Sequence, residues 1–349
     1  MPSIKKNKTE VMKLKGVILC LCACLSFFSK VRAQVDPHFT QYYIYPLYVN
    51  PAMTGGSDGD YRVSGIFRNQ WGTISNPYRT IGVSFDKRTN KNIAWGLNVL
   101  NQSAGDGGFN YLNAYGSLAY NGVKFGKDNN HRIVLALQAG IINRRIDKTK
   151  FKTGEQWNPI TGYNSSLATG EEALVATQST VLDIGAGALY FDGTPDRKAN
   201  VFAGASFFHL NRPKDAFITN GNVSLDAIPI RSVIHGGVSF NLSNKTRIVP
   251  NAIYMTQGTA QVTVFGTYVQ LNVNAETDFM LGSYYRLNDA FAPFVGVDWK
   301  EFLFGVSYDI NASKLGNWNR NVNAFELSLT YRKKKPGQPI YEYIRCPRL

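Results

Sequence analysis

Phe302-Leu303-Phe304-Gly305-Val306-Ser307-Tyr308-Asp309-Ile310-Asn311 is the stretch on which the fold turns. Phe302, Phe304, Val306, Tyr308 and Ile310 fall on one side of an extended chain, and Gly305, Ser307, Asp309 and Asn311 on the other. Successive side chains of a strand point to opposite faces, so strict alternation marks a strand whose two faces meet different media. A helix would scatter the same residues around its circumference.

The pattern repeats outward in both directions. Phe325, Leu327, Leu329 and Tyr331 oppose Glu326, Ser328, Thr330 and Arg332. Val63, Gly65 and Phe67 oppose Arg62, Ser64 and Arg68, and Ile81, Val83 and Phe85 oppose Gly82, Ser84 and Asp86. Similar runs cover 93–99, 112–120, 133–141 and 182–190, with further candidates at 199–210, 231–242, 246–256, 260–273, 277–287 and 290–299. Between residues 60 and 332 this predicts about fourteen strands, an even number within the range of single-chain outer-membrane barrels. The polar, turn-rich stretch 146–177 reads as an external loop, the place where such barrels carry their longer connections. Pro250 and Pro293 interrupt two of the runs, which costs a ladder hydrogen bond in each unless a bulge or an edge absorbs it. A soluble β-sandwich also alternates, but these strands are many and long, and their aromatics gather near strand ends as interfacial girdles do. The face opposite the apolar one is rich in Gly, Ser, Asn, Asp and Arg, which suits a wet lumen. Hydrocarbon admits only helices and closed barrels, because every backbone polar group there needs a protein partner. The expected fold is therefore an all-β, closed, antiparallel transmembrane barrel.

Composition agrees. Of 349 residues, 44% are apolar and only 18% charged, against about 25% charged in ordinary soluble domains. Lys5, Lys6, Lys8, Lys13 and Lys15 precede the apolar run Gly16 to Phe28, and Val31-Arg32-Ala33 supplies a cleavage site before Gln34. That is the build of a secretory signal peptide over 1–33. Lipidation at Cys24 is the weaker alternative, since Leu25 to Phe28 continue the apolar run. Cleavage removes seven cations and one anion, so the formal charge falls from +14 to +8. In an exported chain that charge argues against nucleic acid and leaves lipid headgroups or acidic protein surfaces open as partners. Cleavage also removes three of four cysteines, leaving Cys346 without an intramolecular partner.

The mature chain opens Gln34-Val35-Asp36-Pro37-His38-Phe39-Thr40-Gln41-Tyr42-Tyr43-Ile44-Tyr45-Pro46-Leu47-Tyr48-Val49-Asn50-Pro51-Ala52. Its prolines preclude a continuous strand or helix. Residues 34–59 therefore read as a periplasmic leader, either packed against the barrel mouth or binding a partner. The barrel follows over 60–332, and a basic, turn-ended periplasmic tail over 333–349. The leader strings Asp36 to Tyr42 and Pro46 to Ala52 resemble the opening of the PorP/SprF family, outer-membrane proteins of type IX secretion. Arg68-Asn69-Gln70-Trp71 with Tyr78, His209-Leu210-Asn211-Arg212-Pro213 and the Cys346-Pro347-Arg348-Leu349 ending add to the resemblance, Leu349 departing from the family's aromatic end. The resemblance implies a role in secretion, surface attachment or gliding, with periplasmic ring or motor proteins or a secreted adhesin as partners. Partner-contact candidates are Asp36, Pro37, His38, Phe39, Gln41, Tyr42, Pro46, Asn50, Pro51 and Cys346.

Catalytic chemistry has little footing. His38, His131, His209 and His235 lie at no metal-ligand spacing, and no phosphate-cradling or nucleophile-elbow motif occurs. His235 and Ser239 share a strand face but stand about 13 Å apart along it. No enzyme activity, cofactor or small-molecule substrate is expected. Asp183, Asp298, Asp309, Glu326, Arg62, Arg68 and Arg286 are expected to face inward, where they either tune a pore or pair with one another. The rival to a docking role is a passive porin.

Overall fold

In a computed structural model, the chain is described from Asp36 to Lys333, apart from residues 58, 73–75, 90, 105–107, 148–149, 151–153, 168–177, 196, 215–226 and 314–322. The strands are β1 Tyr61–Gln70, β2 Tyr78–Arg88, β3 Ile93–Ala104, β4 Phe109–Phe125, β5 His131–Arg145, β6 Trp157–Asn158, β7 Gly162–Tyr163, β8 Gln178–Asp192, β9 Ala199–Phe208, β10 Arg231–Asn241, β11 Thr246–Gln257, β12 Ala260–Asn274, β13 Thr277–Arg286, β14 Ala290–Trp299, β15 Phe302–Asn311 and β16 Ala324–Lys333. β6 and β7 form a small hairpin in the 146–177 loop, and the remaining fourteen strands close into one antiparallel barrel. The seam pairs β1 with β16, from Tyr61 opposite Lys333 to Gln70 opposite Ala324.

The alternating rows take the faces expected of them. Leu137, Leu182 and Leu281 point outward and are 69%, 73% and 64% exposed, values only a lipid environment makes reasonable for leucine. Strands of ten or more residues are long enough to cross the hydrocarbon when tilted. Tyr61, Phe85, Trp95, Phe302 and Tyr331 form a run of ring contacts at the end where the barrel's first and last strands begin and finish. The connections at that end are short, from two to six residues, whereas 146–177, 209–230 and 312–323 all lie at the other. Such barrels keep short turns in the periplasm. The end holding Asp60 and Lys333 is therefore periplasmic.

The two prolines sit in neither bulges nor edges. Pro250 pairs with Thr267 of β12, and on its β10 side the paired positions step from Gly237–Asn251 to Phe240–Ile248. Pro293 pairs with Ser283 of β13, and its β15 side steps from Phe291–Ile310 to Phe294–Ser307. Each step is equal on both strands, so no residue is inserted. The missing N–H costs ladder bonds on one side only, and the barrel carries the gap.

The leader departs from expectation. It does not pack at the mouth; it runs through the lumen. Asp36 meets His209, Arg231, Gln257 and Tyr111 at the outer end, and Gly55 accepts from Arg88 at the periplasmic end. Between them the chain makes one helical turn, Pro46–Val49, and one tighter turn, Pro51–Met53. Both prolines open their turns, where no helical N–H is needed. The Asn50 side chain caps the second by accepting from Ala52 N–H. The lumen is thus a packed core and not the wet channel that its Gly, Ser and Asn suggested.

Candidate functional site

The site is the interface between leader and wall, built first from space. Inward glycines stand where the leader comes closest: a Cβ on Gly82 would meet Tyr45, on Gly96 Leu47, on Gly187 Asn50 and Pro51, and on Gly305 Gln41 and Ile44. The side of the lumen formed by β8 to β14 carries an apolar cluster among its polar groups. There Tyr43 stacks on Tyr268 and Tyr284 and meets Phe294 edge-on. On the opposite side Tyr45 and Tyr48 pack with Phe39, Ile66, Leu100 and Tyr115. Aromatic pairs in these geometries add about 0.5–1.5 kcal/mol each beyond their burial.

Two charged anchors hold the leader's first residues. At the seam, the Glu326 carboxylate accepts from the Thr40 and Gln41 backbone N–H groups at 2.8 Å each. Arg68, opposite Glu326 in the β1–β16 register, bonds both Glu326 and Asp309, the latter at 2.8 Å. Arg286 donates to Asp309 at 2.9 Å and to the Thr40 hydroxyl at 3.0 Å. The inward charges therefore pair; Arg62–Asp86 and Arg332–Asp298 do the same nearer the periplasm. Of the two roles left open for them, pairing is the one observed.

At the outer end, the Asp36 carboxylate faces His209 Nε2 at 2.9 Å and Arg231 Nη1 at 3.3 Å, while the Tyr111 hydroxyl donates to it at 3.2 Å. His209 Nδ1 lies 3.0 Å from Asp183, which also accepts from Tyr115 at 2.7 Å. With a carboxylate at each ring nitrogen, the histidine must carry both protons to satisfy them. Burial by itself lowers the His209 pKa, but the Asp36 charge and the hydrogen bonds to Asp183 and Asp36 outweigh it and raise the value to about 9. Burial pushes the Asp36 carboxyl up, and the His209 and Arg231 charges overcome this and hold it well below the usual carboxylate range. A raised histidine pKa contributes stability that is complete below the ordinary value of about 6.5 and is lost as pH rises through the folded one. We expect the barrel's resistance to heat to fall as pH is taken from 7 to 10. His209→Gln should flatten that dependence, measured by gel mobility after graded heating.

The signature strings now have physical reasons. Asn211 donates to Leu182 O at 2.8 Å and accepts from Ile184 N–H at 3.2 Å. It thereby supplies ladder bonds beyond Ala186–Phe207, where β9 stops pairing with β8. Trp71, at φ 63°, sets its ring edge-on to Tyr78 at 5.0 Å across the first outer connection.

The sequence-nominated leader residues are brought together, but facing the wall. Asp36, Phe39, Gln41, Tyr42, Asn50 and Pro51 are all buried, Gln41 and Asn50 at 0% exposure. Pro46 is buried in its turn, His38 is half-buried near Arg286, Arg68 and Asp309, and Pro37 O accepts from the Tyr48 hydroxyl. Apart from His38, these side chains turn no free face to a second protein, because the wall takes it. His235 lies 3.1 Å from Asn50 Nδ2, inside the same interface. Arg231, Glu326 and the wall glycines were missed as leader contacts. Their signal was available only as charges and glycines on inward rows. Cys346 and the signal-peptide stretch lie outside the described residues.

A fourteen-stranded barrel with an apolar outer band and a lumen filled by its own N-terminal segment defines an outer-membrane protein of closed-core type. The family model "Type IX secretion system membrane protein PorP/SprF" matches residues 31–331, and the chain belongs to that family. None of the curated proteins matches. Among solved structures, the chain is similar to the Ralstonia pickettii toluene transporter TbuX, with 13% identity, 83% of this chain and 94% of that one covered, and a TM-score of 0.48. It is also similar to the CymD monoaromatic hydrocarbon channel, at 11%, 84%, 93% and 0.48. CdiB from Acinetobacter baumannii aligns at 8% identity over 79% of this chain and 60% of that one, with a TM-score of 0.43.

Proposed function

We propose that this barrel is a sealed docking scaffold of the type IX secretion system, which holds a periplasmic ring or motor protein, or a secreted adhesin, and itself passes no solute. The reading rests on one observation: residues 36–57 occupy the lumen from outer mouth to periplasmic end. A solute would have to displace a segment held by buried ion pairs and by an apolar wall. Docking then falls to the surfaces outside the lumen, namely the long outer connections and the residues after Lys333, Cys346 among them. Leader side chains serve it indirectly, by fixing the barrel that carries those surfaces.

Two measurements test this together. In planar bilayers the purified barrel is expected to stay silent where a porin shows steady conductance steps. Affinity capture from outer membranes is expected to recover type IX ring, motor or adhesin proteins, and removal of 336–349 to reduce that recovery. Porin-level conductance with no captured partner would replace the scaffold by a solute channel.

A further inference from the structure

The periplasmic rim of β2 to β5 gathers exposed lysines. Lys87 continues the outward row Ile81, Val83 and Phe85, and sits directly opposite Trp95 of β3. Lys91 lies in the turn between those strands, and Asn121 N–H donates to Asn92 O at 2.9 Å, which joins that turn to the end of β4. Lys127 follows in the turn after β4, whereas Lys124, on β4 itself, sits opposite Arg132 on the lumen-facing row. Lys87, Lys91, Lys124 and Lys127 are all exposed. Beside them stand outward aromatics: Phe85 against Trp95 at 5.2 Å, and Phe125 stacked on His131 at 5.4 Å and on Tyr190 at 6.3 Å. Aromatic belts mark the depth of the headgroup layer. Lys87, Lys91 and Lys127 therefore lie at the level of the phosphates of the inner leaflet. Asp128 follows Lys127 in the β4–β5 turn, and Asp86, before Lys87, faces the lumen and pairs with Arg62. By contrast, Lys300 and Lys333 on the far side of the rim lie near Glu276 and Glu301, at 3.8 and 3.6 Å.

We propose that this rim, Lys87, Lys91 and Lys127 with the aromatic shelf of Phe85, Trp95 and Phe125, is a binding surface for anionic phospholipid of the periplasmic leaflet. A lipid is favoured over an acidic protein because Lys87 continues a lipid-facing apolar row, with Lys91 and Lys127 exposed in the adjoining turns. A protein would have to enter the headgroup layer to reach them. Each basic side chain near a membrane surface contributes to attraction for anionic lipid, and several act together.

The test uses the full-length barrel in nanodiscs of phosphatidylcholine with or without phosphatidylglycerol. Readouts are retained lipid by native mass spectrometry and the midpoint of heat-modifiable unfolding. Phosphatidylglycerol is expected to be retained and to raise the midpoint. Changing Lys87, Lys91 and Lys127 to Gln should cut that retention by about tenfold or more, with the phosphatidylcholine midpoint unchanged. Lys198→Gln with Lys245→Gln, elsewhere on the rim, should leave retention as it was. Equal retention by native protein and the triple variant would overturn the proposal. So would the same stabilisation by free inorganic phosphate, or phosphatidylglycerol retention lost equally in the control pair.

Discussion

Deleting residues 36–57 is expected to abolish the folded, fast-migrating form of the barrel on semi-native gels. The wall that the leader covers is not suited to water: Phe191, Phe202, Tyr268, Tyr284 and Phe294 are 0–1% exposed only because the lumen is full. Exposing a large apolar side chain costs about 1.5–3 kcal/mol. Five of them come to on the order of 10 kcal/mol, the size of a typical protein's whole stability. Glu326 would also lose the two backbone donors of Thr40 and Gln41. A deleted chain that kept heat-modifiable migration, and conducted ions, would show the leader to be an insert in a barrel able to stand open.

Arg68→Met should be nearly as damaging, although it changes one side chain. Arg68 is the partner shared by Asp309 and Glu326, all three buried, and Arg286 reaches Asp309 but not Glu326. Breaking a buried ion pair by removing one member costs about 3–5 kcal/mol, because the remaining charge is left uncompensated. Adding Glu326→Gln to Arg68→Met should recover part of this, since the amide is neutral and its one oxygen can still accept from one of the leader's two N–H groups. The midpoint of urea unfolding from lipid bilayers measures both effects. A double variant no more stable than the single one would mean that Arg68 acts by packing and not by charge.

How much of this was legible beforehand depends on what each residue answers to. Phe302, Phe304 and Val306 answer to the bilayer, a medium uniform along the strand, so period-two alternation reports it directly. Barrel closure, strand number and the external placement of 146–177 followed from that regularity. Glu326 and Gly305 answer to a segment nearly three hundred positions earlier. An inward acid reads alike whether it faces water, a cation or a backbone amide. The leader's prolines and tyrosines announced an ordered, irregular segment, but nothing in its local pattern said which side of the wall it lay on. The resemblance drew attention to the right residues, and their burial gave them a different task from the one first assigned. The prolines at 250 and 293 misled because the rule for open sheets demands an edge, whereas a closed barrel tolerates a gap on one side.

The clamp at Thr40 and Gln41 spans the one place where the barrel's circle is joined. Glu326 belongs to the last strand and Arg68 to the first, and the leader is held where they meet. Joining the ends and seating the N-terminal segment are therefore one cooperative event. A chain whose final strand paired one step out of register would turn Glu326 toward lipid and lose its grip on the leader. Correct assembly is thus proofread from within, by a segment made before any of the strands it inspects.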